Sequence, residues 1–218
     1  MSITEKENEL FLKWSVNRPG FVADGVADEG AFHASEPKIM LVMREVEDLG
    51  GTSGDHREFL RRGASPQPWN NITRWVMGLR QLDEDMAWKL LEEVPVQQRS
   101  GTLRTICVMH LQKMPAGDSS HSPALTVTVQ EDKKYLNAQF RLYDADLVIC
   151  CGAATSDIFH SVITFEPSPV WQTTKRGIGF HEYGPQKYFV SYSYPEPRVQ
   201  DCLLYYGLID AVREIMGG

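Results

Sequence analysis

The sequence predicts an α/β protein, a three-layer α/β/α sandwich with a central, mainly parallel four-stranded sheet. Short continuous apolar runs at 39–43, 103–109, 145–151 and 162–165 have the length of strands buried on both faces. Between them lie stretches whose apolar residues recur at helical spacing. Strands alternating with helices in this way build a parallel sheet whose crossovers cover both faces. The 218 residues supply one good-sized core and hold no linker-like stretch, so a single domain over 1–218 is expected.

Taken in order, residues 4–15 carry Leu10, Phe11 and Trp14 after a charged first turn, which suits an amphipathic helix ending before Pro19. The Gly- and Asp-rich stretch 21–37 reads as an irregular lead-in from which Phe32 or His33 covers one side of a site. The strand at 38–43 then delivers Arg44, Glu45, Glu47 and Asp48 at its carboxyl end. Ligands of open α/β sheets bind just beyond such ends, which makes this charged tip the first place to seek chemistry; a solvated loop is the plain alternative.

A glycine-rich loop, a short charged segment holding Phe59, and the Ala64–Pro68 turn lead to a helix through Ile72, Trp75, Val76 and Leu79. A second helix is expected at 83–93. The strand at 103–109 ends in His110 and a polar tail, and 129–143 forms one long helix with Tyr135, Leu136, Phe140 and Tyr143 on one side. The strand at 145–151 runs into Gly152-Ala-Ala154, which lets a helix begin tightly against it. A fourth strand is read at 162–165, a hairpin at 177–194 turning at Gly184-Pro185, and a last helix at 200–216 with Leu203, Tyr206, Ile209, Val212 and Met216 on one stripe.

The formal net charge of −7 argues against holding nucleic acid by general attraction, though basic residues cluster locally at Arg57, Arg61 and Arg62. Cys107, Cys150, Cys151 and Cys202 sit inside apolar runs without ligand spacing. They read as free thiols in a reducing compartment, with no disulfide, no metal site and no cofactor. The polar N-terminus and the lack of any run near membrane-spanning length give the expectation of a cytoplasmic protein with no membrane partner, and of a monomer.

Three polar strand ends, after Met43, Met109 and Ser193, are in order and spacing similar to the signature positions of the uracil-DNA glycosylase superfamily, from about residue 37 to 205. Met43-Arg-Glu-Val46 resembles the first motif of that family, whose polar residue positions the attacking water. It lacks the family's Gly and Pro; Glu45 is the best match, with Glu47 and Asp48 as rivals, and Arg44 falls beside the base. Phe59 stands for the ring on which a flipped base stacks, and Ser65-Pro-Gln-Pro-Trp-Asn-Asn71-Ile72 for a segment near the DNA backbone. Met109-His110-Leu-Gln-Lys113-Met-Pro115 resembles a motif whose Asn reads the base; here His110 takes its place. Tyr194-Pro195-Glu-Pro197, followed by Arg198, resembles the closing motif, with Tyr for His and Glu for Ser.

The resemblance implies Glu45 and Tyr194 as catalytic residues, His110, Phe59 and Arg44 as base-binding, and Asn71, Lys113, Pro195 and Arg198 as DNA contacts. Imidazole cannot copy an amide's paired donor and acceptor, so a base other than ordinary uracil is implied, flipped from DNA and cut at its glycosidic bond to leave an abasic site. Glu45 would hold water against a cationic sugar, and either Tyr194 or His110 would donate to the departing base. Two other readings stay open: a non-catalytic member that binds nucleic acid or a partner through the same edge, and a hydrolase of free nucleosides or nucleotides.

Overall fold

Side-chain alternation along the central strands sorts the core into two halves. In the computed structural model, which describes residues 1–47, 54–115, 123–196 and 199–217, β2 (Ile39–Val46) sends Ile39, Leu41 and Met43 to one apolar cluster and Met40 and Val42 to another. Strand β4 (Leu147–Cys151) divides in the same way, with Leu147, Ile149 and Cys151 opposite Val148 and Cys150. The first cluster is closed by α3 (His56–Arg61), α4 (Pro66–Leu79), α5 (Val96–Leu103) and α9 (Asp201–Met216). The second is closed by α1 (Ile3–Trp14), α2 (Glu29–His33), α6 (Pro123–Glu131), α7 (Lys133–Tyr143) and α8 (Ala153–Val162). Both faces of the sheet are thus covered, as the apolar runs require.

The sheet is larger and more mixed than the expected four-stranded one. Among the described residues it has seven strands, in the order β1-β3-β2-β4-β7-β6-β5. The middle four, β3 (Cys107–Pro115), β2, β4 and β7 (Lys187–Tyr192), are parallel. Antiparallel strands flank them: β1 (Gly25–Val26) on β3, β6 (Gly179–Gly184) on β7, and β5 (Gln172–Thr173) on β6. The outermost strand on each side is two residues long.

Several boundaries depart from the sequence reading for physical reasons. β2 continues through Arg44–Val46, because β3 pairs with it up to a register shift at Glu45/Val46. Leu103 closes α5, so the second strand starts at Cys107. The stretch 83–93 keeps one 3-10 turn at Trp88–Leu90, and its carbonyls at Leu91 and Glu92 accept from the Arg74 guanidinium. The expected long helix at 129–143 is two, broken at Asp132, whose buried carboxylate binds Arg18. Residues 163–165 form no strand: the lane beside β4 belongs to β7. The lead-in at 21–37 holds β1 and α2. The first helix, the hairpin and the last helix fall where expected. Among the described residues no helix is long and apolar enough to cross a membrane, and the four cysteines carry free thiols.

Candidate functional site

The topology places a crevice before any side chain is considered. β2 and β4 are parallel neighbours, yet the helices that follow β2 lie on the first face and α8, which follows β4, lies on the second. Where connections leave adjacent strands toward opposite faces, the space beyond their carboxyl ends stays open. A cleft of about 1040 Å³ lies there, lined by Arg44 and Glu45 from β2, Cys151 to Thr155 from the β4–α8 junction, Ser193, Tyr194 and Glu196 beyond β7, and Val199 and Leu204.

Three of the residues named from sequence therefore share one cavity: Arg44, Glu45 and Tyr194. Arg44 and Glu45 are half-buried, and Tyr194 is 40% exposed. Burial pushes the Tyr194 hydroxyl up to about 12, helped by the charges of Glu47, Glu196 and Glu45. It therefore keeps its proton at neutral pH and can donate a hydrogen bond into the cleft. Cys151, in the same wall, is also held near 12 by burial and is a thiol, with no thiolate to attack anything.

The wall at the β4–α8 junction supplies donors of another kind. Gly152 has φ 106°, in the region that favours glycine, and gives α8 no side-chain cap. The first amides of a helix lack intrahelical partners, so Ala153 to Thr155 present a positive dipole end to the cleft.

Other expected residues are committed elsewhere. Glu47, a rival for holding water, accepts from Trp69 Nε1 at 2.7 Å and so anchors α4; burial raises its pKa despite that bond. Asn71 was expected to face DNA, but it is buried with both amide ends occupied. Its Nδ2 donates to the Pro195 carbonyl at 2.9 Å and to Asp201 at 3.0 Å, and its Oδ1 accepts from Arg74 at 2.7 Å. Pro195 is likewise buried, its carbonyl turned inward to Asn71. Lys113 is 2% exposed, with Nζ 2.7 Å from each oxygen of Asp24 and 5.0 Å from the Trp14 ring centroid. An ammonium so enclosed has no phosphate to meet. Arg198 and Asp48 lie outside the described residues.

His110 and Phe59 are not in the cleft wall among the described residues. Asp24 explains the first. Its Oδ2 accepts from the His110 backbone amide at 2.7 Å and lies 3.1 Å from Nδ1, while Oδ1 accepts from Gln139 at 2.7 Å. Burial alone would raise this carboxyl, but the Lys113 ammonium and His110 hold it well below the usual range. A carboxylate on Nδ1 sets the proton there and leaves Nε2 as an acceptor. That nitrogen is buried without a hydrogen-bond partner among the described residues, as are both ring nitrogens of His56, whose ring centroid lies 4.6 Å away. Phe59 packs against His56 at 5.4 Å and Trp69 at 6.3 Å in the first core cluster.

Asp24, His56 and the Gly152–Thr155 turn were not singled out as site residues in the sequence reading. A signal existed for the last, a strand running straight into glycine and a helix. Asp24 stands as a single acid within Val22-Ala-Asp-Gly-Val26, a pattern as common in exposed turns. No protein-family model matches the chain, and no curated protein matches it either.

Proposed function

We propose that the chain is a monofunctional DNA glycosylase that hydrolyses the bond between a flipped-out base and its sugar, the base being other than ordinary uracil. The observation that carries this reading is that Glu45 and Tyr194, 149 positions apart by their numbers, line one cleft at the carboxyl ends of parallel strands. Glu45 would orient water and offset the cationic sugar. Tyr194, held protonated, would donate to the negative charge growing on the base, and the α8 amides would favour any anionic group placed before them. With His110 tied to Asp24, no amide reader of uracil stands at that position.

A second reading, hydrolysis of free nucleosides, draws support from the same wall. Glu45 and Glu196 line the cleft with Arg44 as their one cationic companion among the described lining residues, which suits a small neutral substrate better than a polyanion. One experiment separates the two. Single- and double-stranded oligonucleotides, each carrying one modified base, and the matching free nucleosides are incubated with wild type and Glu45→Gln, and released base is measured. Release from DNA that falls roughly 10²–10³-fold in Glu45→Gln is the expected result. Turnover of nucleosides alone selects the second reading. No release from any substrate leaves a binding protein.

A further inference from the structure

Two histidines outside the cleft meet nitrogen to nitrogen. His160 lies in the last turns of α8, His181 in the middle of β6, and their Nε2 atoms are 2.8 Å apart. Each ring's other nitrogen faces a backbone carbonyl, His160 Nδ1 that of Ser156 at 2.8 Å and His181 Nδ1 that of Glu182 at 3.3 Å. A carbonyl only accepts, so the shorter contact puts a proton on His160 Nδ1 and makes its Nε2 an acceptor in the neutral ring. The bond between rings then needs its proton on His181 Nε2.

Counting protons gives the pair three states. A neutral pair satisfies the Ser156 and ring-to-ring contacts and leaves the Glu182 contact empty. A singly charged pair fills all three. A doubly charged pair sets two N–H groups head to head at a separation that holds only one proton. We propose that His160 and His181 form a pH-sensitive latch between α8 and β6, closed while the rings share their Nε2 contact and forced apart when both are charged.

The surroundings set where that happens. His181 is fully buried, and the rings of Phe189, Phe165 and Trp171 wall the pair, with Phe189 stacked on His181 at 5.0 Å and Trp171 centred 4.7 Å from His160. The charged groups nearby are Asp157 on α8, which favours a protonated His160, and Glu182 on β6, whose carboxylate accepts from the Gln186 amide. Burial pushes both imidazoles below their ordinary value, His181 to about 4, so the doubly charged state belongs to acid solution. One side of the latch reaches the cleft directly, since α8 begins there at Ala153, and the other reaches it through a neighbour, since β6 pairs with β7, which ends just before Ser193 and Tyr194. Opening would change the spacing of those walls whatever the cleft binds.

The test uses the full chain, labelled with ¹⁵N, titrated from about pH 8 to about pH 3. Imidazole spectra, amide exchange of α8, and the Trp171 emission obtained by difference from Trp171→Phe are recorded together. The expected result is two linked protonation steps, with the second coinciding with a change in Trp171 emission and a loss of protection in α8. His181→Phe abolishes the linkage and the emission change while melting near wild type at neutral pH. If that variant does not fold, the half-buried position supplies His160→Gln with the same expectation. Independent titration of the two rings overturns the proposal, as does an emission change that survives in the folded variant. Stoichiometric zinc binding at neutral pH that both substitutions abolish also overturns it, since the shared cation would then be a metal.

Discussion

At Glu45 the proposed chemistry comes down to one carboxylate whose loss removes charge and keeps shape, so Glu45→Gln should lose turnover without losing melting temperature. Tyr194→Phe removes only the hydroxyl and should slow base release by about 10-fold to 100-fold with KM little changed, read by steady-state kinetics on whichever substrate is turned over. Asp24 makes a different case. Asp24→Asn would leave the Lys113 ammonium buried without its counter-charge, a loss of about 3–5 kcal/mol by urea unfolding, and Asp24→Asn with Lys113→Met should recover much of it. The place of Glu45 and Tyr194 in the cleft wall was legible because a strand end and a Tyr-Pro turn announce themselves locally. Asn71 and Lys113 were legible as polar residues in the right segments but not as buried ones, because their partners, Pro195 and Asp24, lie 124 and 89 residues away.

Among the elements, α4 and α9 approach through glycine. A Cβ on Gly78 would clash with the Tyr205 hydroxyl and lie 2.8 Å from Ile209 Cδ1, while one on Gly207 would meet the hydroxyl of Tyr192, on β7, at 2.6 Å. Gly78→Ala should therefore destabilise by about 1–3 kcal/mol through overpacking, despite alanine's better helix propensity. Tyr205→Phe in the same background should return part of that, a pairing that thermal melts can resolve. The place of helix α9 was readable from its apolar spacing, but its buried face runs through Leu204, Tyr205, Leu208, Ile209, Val212 and Ile215, leaving Leu203 and Met216 of the expected stripe exposed; the hairpin was readable because Gly184-Pro185 separates two strand-like runs. The expected helix at 83–93 was misread because helical spacing of apolar residues does not reveal that Leu91 and Glu92 serve Arg74 with their carbonyls. The seven-strand sheet was underestimated because the two-residue strands β1 and β5 carry no period at all, and because the hairpin strands β6 and β7 were not counted into the sheet while 162–165 was.

At the scale of the molecule, burial lowers the pKa of four histidines among the described residues, His56, His110, His160 and His181. The unfolded chain takes up protons on them near 6.5, before the folded one does, so their neutral burial costs nothing above that pH and costs progressively more as pH falls toward about 4. Glu7, which burial pushes up to about 7 against the Arg57 guanidinium, acts with the opposite sign, favouring the fold as pH drops below 7. Glu47, whose pKa burial also raises, acts in the same sense as Glu7. Four protons outweigh two, and the melting temperature should fall between about pH 6.5 and about pH 5. A melting temperature that stays flat or rises over that range would show that the imidazoles are not buried neutral.

The two shortest strands have a consequence for how the protein keeps company with itself. β1 and β5 leave an approaching strand only a residue or two of free backbone on either flank, too little to nucleate pairing between copies. They act as seals on a sheet whose inner strands would otherwise template association. Removing residues 170–175 would uncover β6, six residues long, and the apparent size of the shortened chain in gel filtration should grow with concentration more steeply than that of the full chain.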